Sequence, residues 1–342
     1  MSSINNFLEI EKFIIEKISE NSENLTKLTA QKFDITVQTV NRYLKKLEKQ
    51  GIIRSEGKTK AKKYYLQEQK YEYTLDITPD SQEYEIWKEY IQPHLTNVSE
   101  NVYKICEHGS TEMINNVIDH SKSNILNIEI SINPINITIG ILDLGIGIFE
   151  KIKTECKLND HLEALQELVK GKLTTDPSKH TGEGIFFTSR MFDEFSLSSG
   201  KLFYAHSSEK NDFLIGKQRS SSGTVVTMTI KQNSSRTSQD IFKEYYSSDN
   251  FDFDKTIIPI TLSQYGEDNL VSRSQAKRIL TRLEKFKEII LDFKNVNFIG
   301  QAFADEIFRV FTNEHPHVHF IPINTNEEID FMIKKGGGRS PS

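Results

Sequence analysis

The chain has 342 residues, 27% of them charged, and a formal net charge of −5. That length suits two or three domains, and that charge excludes a protein that is polybasic over its whole surface. No signal-peptide pattern and no apolar run of membrane-spanning length occur, so we expect a cytoplasmic protein with no membrane partner. The two cysteines, Cys106 and Cys156, have no metal-ligand spacing and favour a reducing compartment.

Residues 5–66 predict a small separate unit of three helices and a hairpin. The apolar residues of FLEIEKFIIEKI recur on one helix face, and Thr36 is placed to cap the third helix, which ends at Gly51. The next segment, IIRSEGKTKAKKYYL, alternates around Gly57 as hairpin strands do. This pattern resembles the winged helix-turn-helix family, and the resemblance implies binding to double-stranded DNA.

The candidate DNA contacts lie on the predicted third helix and on the wing, the two elements that face DNA in this family. Polar residues at the start of the helix could read base edges, whereas lysines further along the helix and on the wing could neutralise phosphates. The alternative interpretation is a protein-contact surface whose lysines form a solvated face. The candidate residues are Gln38, Thr39, Asn41, Arg42, Lys45, Lys46, Lys58 and Lys60.

The segment 112–120, EMINNVIDH, predicts a helix with an apolar stripe and a polar face. Glu112, Asn116 and Asp119 fall at i, i+4 and i+7, so they share the polar face. Magnesium prefers oxygen ligands and keeps several waters, so the amide oxygen of Asn116 together with phosphate oxygens can hold it. Glu112 could act as a general base toward water or a hydroxyl. Taken alone, the spacing also fits a solvated helix face.

Two glycine-bearing turns follow this helix. The β-branched run INITIGIL predicts a buried strand that ends at Asp143, an acceptor suited to the exocyclic amine of adenine. Gly145 and Gly147 allow a tight turn beside a flat ligand. Gly182 and Gly184 open an apolar helix, where backbone N–H groups and the helix dipole favour phosphates.

Taken in order, E-x-x-x-N on a helix, D-x-G-x-G after a strand and G-x-G before a helix resemble the GHKL ATPase superfamily over about residues 91–231. EMINNVIDH is most similar to the anti-sigma-factor kinase branch of that superfamily. The resemblance implies an α/β sandwich, with a mixed sheet covered by helices on one face, that binds ATP and Mg²⁺. Pairing of two copies into a homodimer is a further implication.

The same resemblance implies roles for individual residues. Asn116 would bind Mg²⁺, Glu112 would be the catalytic base and Asp143 would recognise adenine. Residues 149–180 would form a long loop over the nucleotide, and Thr227, or alternatively Thr229, would contact adenine through water. The implied nucleotide contacts are Asn116, Asp119, His120, Asp143, Gly145, Gly147, Lys179, Thr181, Gly182, Gly184 and Thr227.

Strands and helices alternate over residues 255–335 and predict an α/β layer with parallel strands. The run IILDFKNVNFIGQAFADEIF resembles the STAS domain of anti-sigma-factor antagonists, and more closely the STAS-like domains fused behind GHKL units. That resemblance implies a protein partner. The antagonists usually carry a phosphoacceptor serine after the Phe-Ile pair, but Gly300, Gln301 and Ala302 stand there in this chain, so no hydroxyl is available.

We therefore predict a multidomain α/β protein. The predicted segments are a winged helix at 1–70, a connector at 71–90, a GHKL unit at 91–231, a linker at 232–254, a STAS-like unit at 255–335 and a flexible tail at 336–342. The predicted function is a DNA-binding regulator switched by Mg-ATP, with slow ATP hydrolysis as an accompanying activity. The alternatives are a serine/threonine kinase that acts on a separate protein and a non-enzymatic assembly module gated by ATP.

Overall fold

The computed structural model describes residues 2–18, 20, 24–57, 62–173, 182–208, 213–246, 252–264 and 269–338. Residues 2–6 and 213–221 are described by their backbone alone. Within these ranges, no helix combines the length and the apolar character needed to cross a membrane.

The N-terminal unit consists of three helices followed by an antiparallel hairpin, as the sequence predicts. The hydroxyl of Thr36 accepts the backbone N–H of Thr39 at 3.2 Å, which confirms the predicted helix cap. Val40, Leu44 and Leu47 follow at helical spacing, and burial of each contributes about 1.5–3 kcal/mol of transfer free energy. The elements are α1 (Ser2–Lys17), α2 (Leu25–Phe33), α3 (Val37–Lys49), β1 (Ile53–Glu56) and β2 (Lys63–Leu66).

The segment 71–90, predicted as a connector, supplies a strand and a helix of the central unit. β3 (Gln69–Asp76) begins after a two-residue link from β2 and pairs antiparallel with β4 (Ile125–Ile132) at the edge of the central sheet. α4 (Glu83–Ile86) continues into a π-helical turn that buries Trp87 completely. Because this indole and one side of β3 pack on the core, the segment is held in place by burial.

Every pairing between the described strands of the central sheet is antiparallel. The remaining elements of this unit are α5 (Glu100–Asn116), a π-helical turn (Val117–Ser121), β5 (Asn136–Asp143), α6 (Ile148–Glu155), α7 (His161–Lys170), α8 (Gly184–Met191), β6 (Glu194–Ser207) and β7 (Phe213–Lys231). The strand order is β3-β4-β5-β7-β6.

The prediction of a mixed sheet is therefore wrong. A parallel pair of strands needs a single crossover between opposite ends of the sheet. Here β4 and β5 follow each other as a hairpin, and so do β6 and β7. Between β3 and β4 the chain runs through α4 and then α5, and two helical passes return it to the end of the sheet that it left.

Helices cover one face of this sheet, as predicted. On that face Ile128, Ile139 and Met228 are buried, and α5 and α8 pack against the strands. On the opposite face the hydroxyls of Thr138 and Thr229 lie 3.0 Å apart and form a hydrogen bond. The period of two along each strand accounts for this division.

Two segments contain more regular structure than the sequence predicts. The range 149–180, predicted as a long loop, contains most of α6 and all of α7, and its residues 174–180 lie outside the described ranges. The predicted linker 232–254 contains the short helix α9 (Ser238–Tyr245). It also contains Phe253, whose buried ring packs on the phenylalanines of α8. Apolar side chains thus hold both segments against the core.

The C-terminal unit is built on a three-stranded parallel sheet in the order β10-β9-β8, which confirms the predicted parallel strands. Its apolar core is continuous with that of the central unit, whereas the winged unit has a separate core. Of the predicted tail, residues 336–338 are described and follow the last helix. The elements are β8 (Lys255–Pro259), α10 (Arg273–Leu280), β9 (Glu288–Asp292), α11 (Gln301–Asp305), a π-helical turn (Glu306–Phe311), α12 (Thr312–Glu314), β10 (His319–Ile323) and α13 (Glu327–Lys335).

Candidate functional site

A cavity of about 620 Å³ opens on the helix-covered side of the central sheet. Its walls come from α5 and the π-helical turn, the C-terminal end of β5, the middle of β7, and helices α6, α7 and α8. It brings together most of the site residues predicted from sequence, namely Glu112, Asn116, Asp119, His120, Asp143, Gly147, Gly182 and Gly184. Patches far apart along the chain therefore meet around one space.

The polar end of α5 is tied to the turn after β5. The helix widens into its π-helical turn directly after Asn116, and such turns occur frequently at functional sites. The hydroxyl of Ser121 donates to the carbonyl of Val117 at 2.7 Å. The carbonyl of Ser121 accepts the N–H of Ile146 at 2.9 Å. These bonds fix the distance between the two polar walls of the cavity.

Asp143 is a buried carboxylate at the end of β5, with 4% of its surface exposed. One of its oxygens accepts the N–H of Gly145 at 2.7 Å, and Thr224 hydrogen-bonds to the same carboxylate. Burial raises the pKa of Asp143, although these hydrogen bonds act in the opposite direction. The result is an acceptor in a site of low polarity, where a hydrogen bond to a ligand amine is strong.

Two glycines permit the close packing of the backbone around Asp143. A Cβ on Gly145 would lie 1.9 Å from the carbonyl oxygen of Ser121. A Cβ on Gly223, which has φ +72°, would lie 1.9 Å from the carbonyl oxygen of Asp143. Only glycine fits at these positions, so the turn after β5 can approach the π-helical turn at Ser121, and β7 can approach Asp143.

The carboxylate of Glu112 lies against the first residue of α8. A Cβ on Gly184 would sit only 2.0 Å from Oε2 of Glu112, so the side chain packs directly over this glycine. The carboxylate of the preceding residue, Glu183, accepts a hydrogen bond of 2.6 Å from the hydroxyl of Tyr246. The N-terminus of α8 thus has one acidic side chain placed over it, where the helix dipole favours negative charge.

Lys151 and Thr224 line the cavity, although neither is among the site residues predicted from the sequence. Lys151 is the only lysine or arginine among the described residues that line the cavity, and it lies between Ile148 and Ile152, which also line it. Thr224 lines the cavity and hydrogen-bonds to Asp143, and its hydroxyl accepts the N–H of Ile148 at 3.1 Å. The Gly223-Thr224 pair was the available signal for Thr224, and the structure places this pair within β7. No local pattern marks Lys151.

Some predicted residues do not line the cavity. Thr227 pairs with Gly140 on the sheet face opposite to Val226, because side chains alternate along β7, whereas Thr224 lines the cavity. Gly145 does not line the cavity and instead donates its N–H to the carboxylate of Asp143. Lys179 and Thr181 lie outside the described residues.

The donor set of the cavity is rich in oxygen. Glu112, Asn116 and Asp119 offer carboxylate and amide oxygens, which are the ligand types that Mg²⁺ prefers. Among the described residues, no group of three or more His, Cys, Asp or Glu side chains is arranged to hold a metal ion. A magnesium ion that arrives with a nucleotide needs only one or two protein oxygens, since phosphates and waters fill the other positions.

A second candidate site is the exposed face of α3 in the winged unit. Gln38, Arg42, Lys45 and Lys49 are exposed and fall at helical spacing on one face, whereas Thr39 and Asn41 are half-buried beside it. The hydroxyl of Thr39 accepts a hydrogen bond of 3.3 Å from Arg42, which orients the guanidinium along the helix start.

Lys46 does not belong to this exposed face. Its ammonium lies 2.7 Å from a carboxylate oxygen of Glu11 and 4.0 Å from the ring centroid of Phe7, so it secures α3 to α1. A phosphate contact by Lys46 is therefore disfavoured, because the carboxylate of Glu11 already pairs with its ammonium. Lys58 and Lys60 lie outside the described residues.

Comparison with known proteins identifies both outer units. Residues 11–54 match a family described as winged helix-turn-helix DNA-binding, and residues 275–330 match a family described as a STAS-like domain of unknown function (DUF4325). No curated protein matches the chain. The chain thus has an N-terminal winged helix-turn-helix unit and a C-terminal STAS-like unit, and this pair of units indicates a regulatory protein. The cavity lies in the central unit, between the two matches.

Proposed function

We propose that the central cavity binds ATP with Mg²⁺ and that the protein is a DNA-binding regulator whose state depends on this nucleotide. Support comes from one observation: Asn116 and Asp143, which come from separate elements, face the same cavity of about 620 Å³. That volume lies within the range of about 300–1,000 Å³ that is usual for small-molecule sites. The apolar residues Ile148, Ile152 and Val226 beside Asp143 suit the faces of a flat base.

In this proposal each polar group has one role. Asp143 accepts a hydrogen bond from the adenine amine, and the amide oxygen of Asn116 binds Mg²⁺. Lys151 neutralises phosphate charge, which an otherwise acidic cavity requires. The backbone N–H groups near Gly182 and Gly184, at the start of α8, receive the phosphates.

Calorimetry with Mg-ATP tests the site. Asn116→Ala should abolish magnesium-dependent binding, because it removes the only neutral side-chain oxygen proposed as a ligand. Asn127→Ala is the matched control, since Asn127 bonds to Thr74 on the opposite face of the sheet and should leave binding unchanged. Wild-type affinity in the Asn116 variant would refute the proposed site.

Glu112 is proposed as the general base for slow ATP hydrolysis. Glu112→Ala should retain nucleotide binding and lose turnover, with a rate at least about a hundredfold lower. An unchanged rate would exclude Glu112 from that role.

ATP labelled at the γ-phosphate separates hydrolysis from protein phosphorylation. The STAS-like unit has no hydroxyl at Gly300, Gln301 or Ala302, and a Cβ on Gly300 would lie 2.7 Å from Cα of Val271. We therefore expect free phosphate and no labelled chain. Label on an added protein would favour the kinase function instead.

We also infer that the exposed face of α3 binds double-stranded DNA. Lys45→Ala should weaken binding to all sequences and lower the salt slope by about one, because one phosphate contact is lost. Lys46→Ala is the matched control: its ammonium is held by Glu11, so the slope should stay unchanged. Equal slopes in both variants and the wild type would favour a protein-contact role for the winged unit.

The short link between β2 and β3 supports coupling of the two functions. Only Gln67 and Glu68 separate the last wing strand from the edge of the central sheet, and Gln67 donates to the carbonyl of Ile52 at 2.9 Å. We expect Mg-ATP to change DNA affinity in a titration of labelled duplex. Identical affinities with and without Mg-ATP would remove the coupling from the proposal.

A further inference from the structure

Helix α7 is enclosed between the cavity and the STAS-like unit. Its residues 164–170 are all buried, although a helix on a protein surface buries only one face. Leu165 and Leu168 belong to the central core. On the other side, the hydroxyl of Thr256 in β8 donates to the carbonyl of Lys170 at 2.7 Å. The STAS-like unit therefore covers the face of α7 that points away from the cavity.

Buried charges join α7 to the end of α10. The ammonium of Lys170 lies 2.6 Å from a carboxylate oxygen of Glu167, and these side chains are only 3% and 4% exposed. Lys170 also donates to the carbonyl of Thr281 at 2.8 Å, at the end of α10 where the helix dipole favours a cation. Arg282 places its Nε 3.8 Å from the other oxygen of Glu167. We refer to Glu167, Lys170, Thr281 and Arg282 as the latch.

The latch residues lie next to residues of the cavity wall. Leu168 and Leu173 line the cavity, and Lys170 falls between them. Lys172, also between them, donates to the carbonyl of Lys285 at 3.0 Å and pairs with Asp254 at 3.8 Å. The STAS-like unit thus holds the backbone on which this part of the wall is built.

We propose that the STAS-like unit regulates the nucleotide affinity of the cavity through the latch, an inference that rests on the proposed function of the cavity. With the latch formed, Leu168 and Leu173 stand in place before a ligand arrives. Binding then requires no ordering of that wall. With the latch broken, the ligand must order the wall itself, so affinity falls and dissociation becomes faster. By linkage, bound nucleotide strengthens the contact between α7 and α10 by the same factor.

Two latch variants and one control test this in the full chain. Lys170→Met removes the buried ammonium. Arg282→Gln removes a partly exposed guanidinium that pairs with Glu167, so this second variant keeps the test valid if Lys170→Met does not fold. Lys334→Met removes an exposed lysine from α13 of the same unit and serves as the control. We expect the Kd for Mg-ATP to rise about tenfold in both latch variants and to stay unchanged in the control.

Hydrogen exchange over residues 161–173 provides a readout that does not depend on nucleotide. It should be faster in both latch variants than in the wild type, because α7 loses its partner. Folded latch variants with wild-type affinity and exchange would overturn the inference while leaving ATP binding intact. If the wild-type chain binds no nucleotide, the proposed function falls and the inference falls with it.

Discussion

Replacement of the buried carboxylate at the end of β5 separates ligand recognition from folding. Asp143→Asn preserves the size of the side chain and the oxygen that accepts the N–H of Gly145. It removes the negative charge and replaces an acceptor oxygen with an N–H₂ donor. An adenine amine would then face a donor, so the hydrogen bond proposed to select adenine is lost.

The size of the effect follows from the burial of Asp143. A hydrogen bond to a charged group in a buried site is worth about 1.5–3 kcal/mol, which corresponds to a loss of roughly 10- to 150-fold in ATP affinity. The amide of Asn can donate to the oxygen of guanine, so GTP affinity should rise. The ratio of ATP affinity to GTP affinity should therefore fall by a larger factor than ATP affinity does.

Stability should change in the opposite direction. Burial raises the pKa of Asp143, so the folded chain holds the proton more tightly than the unfolded chain. The stability linked to protonated Asp143 is present below the unfolded pKa and is lost as pH rises through the folded pKa. Asp143→Asn does not titrate, so it should be more stable than the wild type at neutral pH. This gain should shrink as pH falls through the folded pKa and should be absent below about pH 4, where the side chain is protonated in both states.

Calorimetry with Mg-ATP and Mg-GTP measures the change in affinity. Urea denaturation at neutral pH and below about pH 4 measures the change in stability. Asp292→Asn is a matched control, because Asp292 also ends a strand and accepts the N–H two residues later, from Lys294 at 2.9 Å. It lies in the STAS-like unit, away from the cavity, and should leave nucleotide affinity unchanged. Wild-type ATP affinity in Asp143→Asn would refute the role of this carboxylate in base recognition.

Two further changes probe the charge and the backbone of the cavity. Lys151→Ala should weaken ATP binding about tenfold and leave adenosine binding unchanged, since only ATP carries phosphates. Lys104→Ala, on an exposed part of α5, is the control. Equal losses of ATP and adenosine affinity in Lys151→Ala would contradict a phosphate contact. Gly223→Ala should cost about 1–3 kcal/mol and lower the Tm by roughly 3–10 °C, because a Cβ there would meet the carbonyl of Asp143 at 1.9 Å. Gly140→Ala, whose Cβ would have an ordinary contact at 3.4 Å, should shift the Tm far less, and a similar shift in both variants would argue against the clash.

Local patterns predicted several parts of the fold. Helix spacing and a capping threonine gave α3, because both signals lie within one turn of each other. Alternating strands and helices gave the parallel sheet of the STAS-like unit, since such a chain order leaves few other topologies. The candidate residues Glu112, Asn116 and Asp143 were chosen from motifs, and they line one cavity.

Other features depended on contacts between distant residues. β3 and β4 are antiparallel because two helices, not one, connect them. Local sequence patterns do not show how many times the chain crosses the sheet between two strands. Lys45 and Lys46 are neighbours of the same type, yet Glu11, thirty-five positions earlier than Lys46, binds only one of them. Lys151 enters the cavity through the placement of α6, which no motif encodes.

The sequence by itself determined which chemistry is available: oxygen donors at helical spacing, a carboxylate after a buried strand and glycines where backbones must approach. Only the tertiary structure decided where that chemistry is gathered and what adjoins it. It put Thr224 rather than Thr227 beside Asp143 and enclosed α7 with the STAS-like unit. The physical reason is that propensity and spacing act within a few residues, whereas burial and charge pairing depend on which segments pack together.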